Sequence, residues 1–173
     1  PNLELFFHGA VSFKPYRKLF ETLIPSDKMV YWETFNASEG FFGIQDEKDS
    51  DELLLMLDYG VFYEFIPVEE VEKDFPDAIP LWEVEVGKNY AMVITTNAGL
   101  WRYNIGDTVK FTSTSPYRIK ISGRTKHFIN AFGEEVIIEN AETAITRACE
   151  QTGAVIDNFT AAPIYFNKGT RGG

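Results

Sequence analysis

Three short stretches bring together residue types suited to nucleotide chemistry. In Phe35-Asn36-Ala37-Ser38-Glu39-Gly40 an aromatic ring, a hydroxyl and a carboxylate lie close together among small residues. Such a turn suits stacking of a base on Phe35, contact of a phosphate oxygen with Ser38, and Mg²⁺ on Glu39, because Mg²⁺ takes hard oxygen ligands together with substrate phosphates. The same spacing also fits an ordinary turn in which Ser38 bonds the local backbone. In Trp101-Arg102-Tyr103-Asn104-Ile105-Gly106-Asp107 a strand runs into a Gly-Asp pair. An Asp there suits the vicinal hydroxyls of a ribose, as an acidic residue does in dinucleotide folds; a plain turn is the alternative. In Ser122-Gly123-Arg124-Thr125-Lys126 and the following residues to Val136, Gly123 and Gly133 permit close backbone approach. Arg124 there offers a guanidinium for bidentate contact with an oxygen-rich ligand; a β-hairpin with charged ends is the alternative.

The elements that must position these residues read mainly as β. Leu3–Phe7 is a strand leading to His8-Gly9-Ala10, and Pro15 in a first turn opens a helix to Ile24. Met29–Phe35 is a strand that delivers the 36–40 loop. Leu53–Leu57 and Val61–Ile66 around Asp58-Tyr59-Gly60 read as a hairpin. Val68–Lys73 suits a single helical turn. Tyr90–Thr96 is a strand, Asn97-Ala98-Gly99 a turn, and Trp101–Asn104, Thr108–Thr112 and Tyr117–Ile121 are further strands. After residue 126, Phe128–Phe132 and Val136–Ile138 flank a Gly-containing hairpin turn. Glu139–Gln151 then has helical periodicity, and Ala161–Phe166 reads as a last strand. The expected fold class is mixed α/β (α+β), rich in antiparallel strands between residues 53 and 122, with a small α/β piece after 126.

Composition narrows the function classes. The 173 residues are 45% hydrophobic and 15% aromatic, with 15 Phe, a globular balance. A formal net charge of -10 argues against a phosphate-backbone or anionic-membrane partner, so neither nucleic acid nor a membrane is expected. The acidic runs Asp46–Glu52 and Glu69–Asp74 read as solvated loops and helix faces. Cys149, the one cysteine, excludes an internal disulfide and reads as a small buried residue on the apolar face of its helix. Two distant His residues make no metal-ligand pattern. Without a signal segment or a bilayer-length apolar run, a cytoplasmic setting is expected. The first residues read as a strand already under way, and the chain as a piece of something longer.

Taken in this order, the three stretches resemble those of the adenylate-forming ligases: a Tyr-Gly-x-Thr-Glu turn, a Tyr-Arg-x-Gly-Asp turn and a Gly-Arg hinge leading into a hairpin. The wording at 36–43 (Asn-Ala-Ser-Glu-Gly-Phe-Phe-Gly) and 101–107 is closer to one branch, the Gretchen Hagen family of acyl acid amido synthetases and its bacterial members. Tyr63-Glu64-Phe65-Ile66-Pro67 is similar too, and the resemblance spans nearly the whole chain. It implies an ATP- and Mg²⁺-dependent enzyme that adenylates a carboxylic acid, then lets an amino acid amine displace AMP. Residue by residue it puts Phe35 against adenine, Ser38 on the α-phosphate, Glu39 on Mg²⁺, Asp107 on the ribose and Arg124 beside it. Gly9 and Ala10 would pass beside adenine and acyl group, and Lys126 would be the hinge. Domains would run 1–122 (latter part of the large adenylating domain), 123–126 (hinge) and 127–173 (start of the small mobile domain).

Departures accompany the match. Phe35 stands where a Tyr is usual, and an extra residue separates Arg102 from Gly106. The resemblance places the phosphate loop before residue 1 and the catalytic Lys beyond Gly173, so the chain alone is expected to be inactive. Two other functions fit the residues: a thioester-forming acyl-CoA-type ligase, and a non-catalytic α/β interaction module.

Overall fold

A computed structural model describes residues 3–9, 13–125, 129–131, 134–136, 138–156 and 159–160. Strand β7 (Asn89–Thr96) organises the core, because Tyr90, Ala91, Met92, Val93 and Ile94 are all buried. An unbroken apolar run suits a strand covered on both faces. On one face Tyr90, Met92 and Ile94 join Tyr63, Phe65, Val109, Phe111 and Ile119 in the main core. On the other, Ala91 and Val93 meet Ile66, with Val71 and Ala78 from the segment 68–80 laid over them.

The sheet holds nine strands: β1 (Leu5–His8), β2 (Val30–Ala37), β3 (Gly40–Ile44), β4 (Leu53–Leu55), β5 (Val61–Pro67), β6 (Ile79–Pro80), β7, β8 (Tyr103–Thr114) and β9 (Tyr117–Arg124). Their order is β1-β2-β3-β4-β9-β8-β7-β5-β6. Only β1 and β2 run parallel, joined by helix α1 (Arg17–Leu23). A flat sheet would set β3 and β5, five places apart, about 24 Å from each other. Instead the Phe42 and Tyr63 rings lie 6.4 Å apart, and the Tyr63 hydroxyl donates to the Met56 carbonyl at 2.9 Å. The sheet therefore curls round a shared aromatic core. A separate pair, β10 (Ile129–Ala131) and β11 (Glu134–Val136), precedes helix α2 (Ile138–Thr152).

Several expectations change. The 53–57 and 61–66 segments are not a hairpin: β4 pairs with β3 and β9, whereas β5 pairs with β6 and β7. The loop expected at 36–40 is a tight hairpin in which only Ser38 and Glu39 lie between paired residues Ala37 and Gly40. The helical turn expected over Val68–Lys73 is a 3-10 turn at Val68–Glu70. The acidic run at 46–52 is not simply solvated. Arg118, 9% exposed on β9, is held by Asp46 and by Glu47 (2.8 Å), and Asp51 binds Lys14 and Lys120 at 2.7 and 2.6 Å. A nearly buried guanidinium needs such partners. Cys149 is half-buried. Among the described residues no helix is long and apolar enough to cross a membrane. The strand expected at 161–166 lies outside the described residues.

Candidate functional site

The Gly106-Asp107 pair does not end a strand; it sits in a bulge within β8. Across β7, Ala91 faces Thr108 and Val93 faces Asn104, so Ile105, Gly106 and Asp107 together stand opposite Met92. Surplus residues in one strand re-aim its side chains. Gly106 takes φ +84°, a left-handed conformation suited to glycine. Its N–H donates to the Asn104 Oδ1 at 2.9 Å, and its carbonyl accepts from the Thr125 N–H at 2.8 Å. On the other side Asp107 is in register with Arg124 and Thr108 with Gly123.

That register sets Arg124 Nε 3.1 Å from Asp107 Oδ1. The Asp107 side chain keeps 18% of its exposure and Arg124 keeps 58%, so both can be reached by a ligand. Burial pushes the Asp107 carboxyl above the usual carboxylate range; the Arg124 guanidinium opposes this, and the Glu39 charge adds to it. A partly desolvated carboxylate of this kind is a strong acceptor for hydroxyl donors. The Glu39 carboxylate on the β2–β3 turn is thus within electrostatic reach of Asp107. Ser38 is exposed on that turn, and Glu39 is half-buried.

Gly9 closes the other side of the hairpin. A Cβ at Gly9 would lie 2.6 Å from the Thr34 carbonyl oxygen and 3.4 Å from the Asn36 Oδ1, while Thr34 Oγ1 donates to the His8 carbonyl at 3.2 Å. The end of β1 is thus pressed against β2 just before the turn. Gly9→Ala is expected to force the two strands apart and cost about 1–3 kcal/mol, the usual range for overpacking. A urea denaturation midpoint equal to wild type would contradict this.

Phe35 requires a correction. It is 4% exposed, with its ring set edge-on to Phe42 at 5.3 Å, and belongs to the core. The ring offers no open face on which adenine could stack. Ala10 and Lys126 lie outside the described residues. Arg102, beyond the extra residue, holds φ +44°; its N–H donates to Thr95 Oγ1 and its Nε to Glu64 Oε2, both at 3.0 Å. It ties the entrance of β8 back to β7 and β5. Asn104, Thr125 and Glu64 were missed as site supports. The Asn-x-Gly spacing at 104–106 carried the signal for the first, since an Asn side chain commonly bonds the backbone two residues on.

Residues 54–124 match the model of the GH3 family central domain. Over 81 residues the chain is 38% identical to indole-3-acetic acid-amido synthetase GH3.3 of Arabidopsis thaliana, covering 45% of this chain and 14% of that protein. Over 93 residues it is 39% identical to jasmonoyl--L-amino acid synthetase GH3.5 of Oryza sativa subsp. japonica, covering 44% and 16%. The chain therefore spans only a small part of the curated relatives it matches. Among solved structures, the GH3.15 acyl acid amido synthetase shares the fold, with a TM-score of 0.60 at 22% identity over 80% of this chain and 25% of that one.

Proposed function

We propose that this chain, which carries the GH3 family central domain at residues 54–124, forms part of an ATP-dependent ligase that adenylates a carboxylic acid and passes the acyl group to an amino acid amine. The observation that carries the reading is the Asp107–Arg124 pair on the β8 bulge, whose carboxyl also feels the charge of Glu39. The donor set fits a magnesium nucleotide: one accessible carboxylate for a diol, one guanidinium for oxygen-rich groups, and one half-buried carboxylate for a hard cation. The relatives named as amido synthetases favour an amine acceptor over a thiol.

In this reading Asp107 accepts hydrogen bonds from the ribose hydroxyls, and Arg124 keeps that carboxylate ionised and oriented. Glu39 ligates Mg²⁺, Ser38 donates to the α-phosphate, and Gly9 with Ala10 passes beside the acyl group. ATP supplies the adenylyl group, with pyrophosphate leaving. Adenylation brings two anions together, so the cation and nearby donors must offset the charge that builds up. Residues 1–122 belong to the large adenylating domain, 123–126 to the hinge with Lys126, and 127–173 to the start of the small domain. The adenine face falls to a surface other than Phe35.

The test is exchange of labelled pyrophosphate into ATP by the longer polypeptide that this reading implies, across a panel of aromatic and aliphatic acids. Acid-dependent exchange that disappears in Asp107→Ala is the expected result. A folded protein that neither exchanges with any acid nor binds ATP would remove the ligase reading.

A further inference from the structure

Strands β1 and β2 and helix α1 line a cleft of about 150 Å³, walled on its far side by Gln45 and residues 48–51. Much of its lining is aromatic: the Phe13 ring stacks on His8 with centroids 4.3 Å apart and lies 4.9 Å from Tyr31. Met29 adds a further apolar wall, and Glu33 stands in parallel register with His8. Ser38, Glu39, Asp107 and Arg124 are not among the residues that line it.

Two polar atoms of this lining, Tyr31 Oη and His8 Nδ1, are shielded from water and have no hydrogen-bond partner. Tyr31 as a whole is only 8% exposed. Buried polar atoms in folded proteins are nearly always paired, so two orphans on one cleft point to a group that completes them. Both can donate, the phenol through its O–H and the imidazole through Nδ1–H in one tautomer. Burial and then Glu21 push the Tyr31 hydroxyl above its ordinary range, against Arg17, so it keeps its proton. Burial and then Arg17 hold His8 below the ordinary imidazole value, so it is neutral. The Arg17 guanidinium lies 5.3 Å over the Tyr31 ring, and its charge acts on both groups.

We propose that the cleft binds a small monocarboxylate, whose oxygens accept from Tyr31 and His8 beside the Arg17 guanidinium. Donors next to a cation select an anion, because hydrogen bonds to a charged acceptor are the strong ones. The acids of the lining are offset. Asp51 is bonded by Lys14 at 2.7 Å and Lys120 at 2.6 Å, and Asp49 follows Lys48. Burial pushes the Glu33 carboxyl up to about 7, against Lys14 and aided by Asp51 and Glu142, so at pH 6 it is largely uncharged. Size sets the rest of the ligand: a cavity of about 150 Å³ accepts a molecule as large as benzene. The Phe13 and Met29 walls suit a compact hydrocarbon body, which inorganic phosphate and sulfate lack.

The test is an NMR titration of this chain with propionate at pH 6, beside propionamide and sulfate. The expected result is saturable binding of propionate, with shifts at the Tyr31 ring and His8, and much weaker binding of the other two. Tyr31→Phe removes only the hydroxyl and should weaken propionate by about 10-fold or more, the loss of one hydrogen bond to a charged acceptor. Its urea midpoint should equal or exceed that of wild type, because the change deletes an unpartnered buried hydroxyl. Arg17→Gln should weaken binding as well. No saturable binding of propionate, equal affinity in Tyr31→Phe, or equal affinity for propionamide or sulfate would overturn the site. A lower midpoint in Tyr31→Phe would mean that the hydroxyl already has a partner, and would overturn it too.

Discussion

Replacing Phe65 by alanine is expected to cost about 3–5 kcal/mol of stability, the range for removing a fully buried phenyl group. The ring is 0% exposed and makes edge contacts with Phe111 at 4.9 Å and Tyr90 at 6.1 Å, beside Tyr63 at 6.4 Å. These partners come from β5, β7 and β8, so the vacated volume is walled by strands that cannot easily collapse into it. Small domains have only about 5–15 kcal/mol in total, so this one change takes at least about a fifth of it. Phe62, three residues earlier on β5, is 53% exposed. Phe62→Ala should stay within about 0.5 kcal/mol of wild type, as surface changes do. Similar losses for the two variants in chemical denaturation would mean that β5 does not turn Phe65 inward and Phe62 outward.

The second large effect concerns ligand binding rather than folding. Asp107→Ala is expected to weaken nucleotide binding by about 10- to 100-fold, since a hydrogen bond to a charged group is worth about 1.5–3 kcal/mol. Its cost to stability should be small, because Arg124 is 58% exposed and returns to water when its partner is lost. The direction of the Asp107 shift adds a pH signature. Binding that needs the carboxylate should weaken on acidification at a higher pH than an ordinary Asp would impose. Equal affinity for wild type and variant, measured calorimetrically with Mg·ATP, would detach Asp107 from the nucleotide.

Much of the local structure was legible because it is decided locally. The run Tyr90–Thr96 announced a strand, and Asn97-Ala98-Gly99 announced the β7–β8 turn, where the Gly99 N–H bonds the Thr96 carbonyl at 3.2 Å. What escaped is decided by partners remote in sequence. Leu53–Leu57 and Val61–Ile66 look like a hairpin around Asp58-Tyr59-Gly60, yet β4 finds β3 and β9 while β5 finds β6 and β7. Gly106-Asp107 has turn composition, but pairing resumes on either side of it, at Asn104 and Thr108 with β7 and at Asp107 with β9, so the pair forms a bulge within one strand instead of ending it.

The candidate site divides in the same way. Asp107 and Arg124, 17 positions apart, meet because β8 and β9 are antiparallel neighbours, and their residue types alone suggested the chemistry. Phe35 misled because an aromatic ring suits a stacked base and a core equally; burial is decided only once β3 folds back and sets Phe42 beside it. The support that Asn104 and Thr125 give to Gly106 depends on the bulge, which forms only when β8 lies between β7 and β9.

The most direct test of the central claim is a backbone-amide NMR titration of this chain with AMP in the presence of Mg²⁺. Shifts concentrated at Ser38, Glu39, Gly106, Asp107 and Thr125, and absent in Asp107→Ala, are the predicted result. Saturating shifts elsewhere on the sheet, or an unchanged response in Asp107→Ala, would contradict the assignment of the β8 bulge and the β2–β3 turn as the nucleotide site.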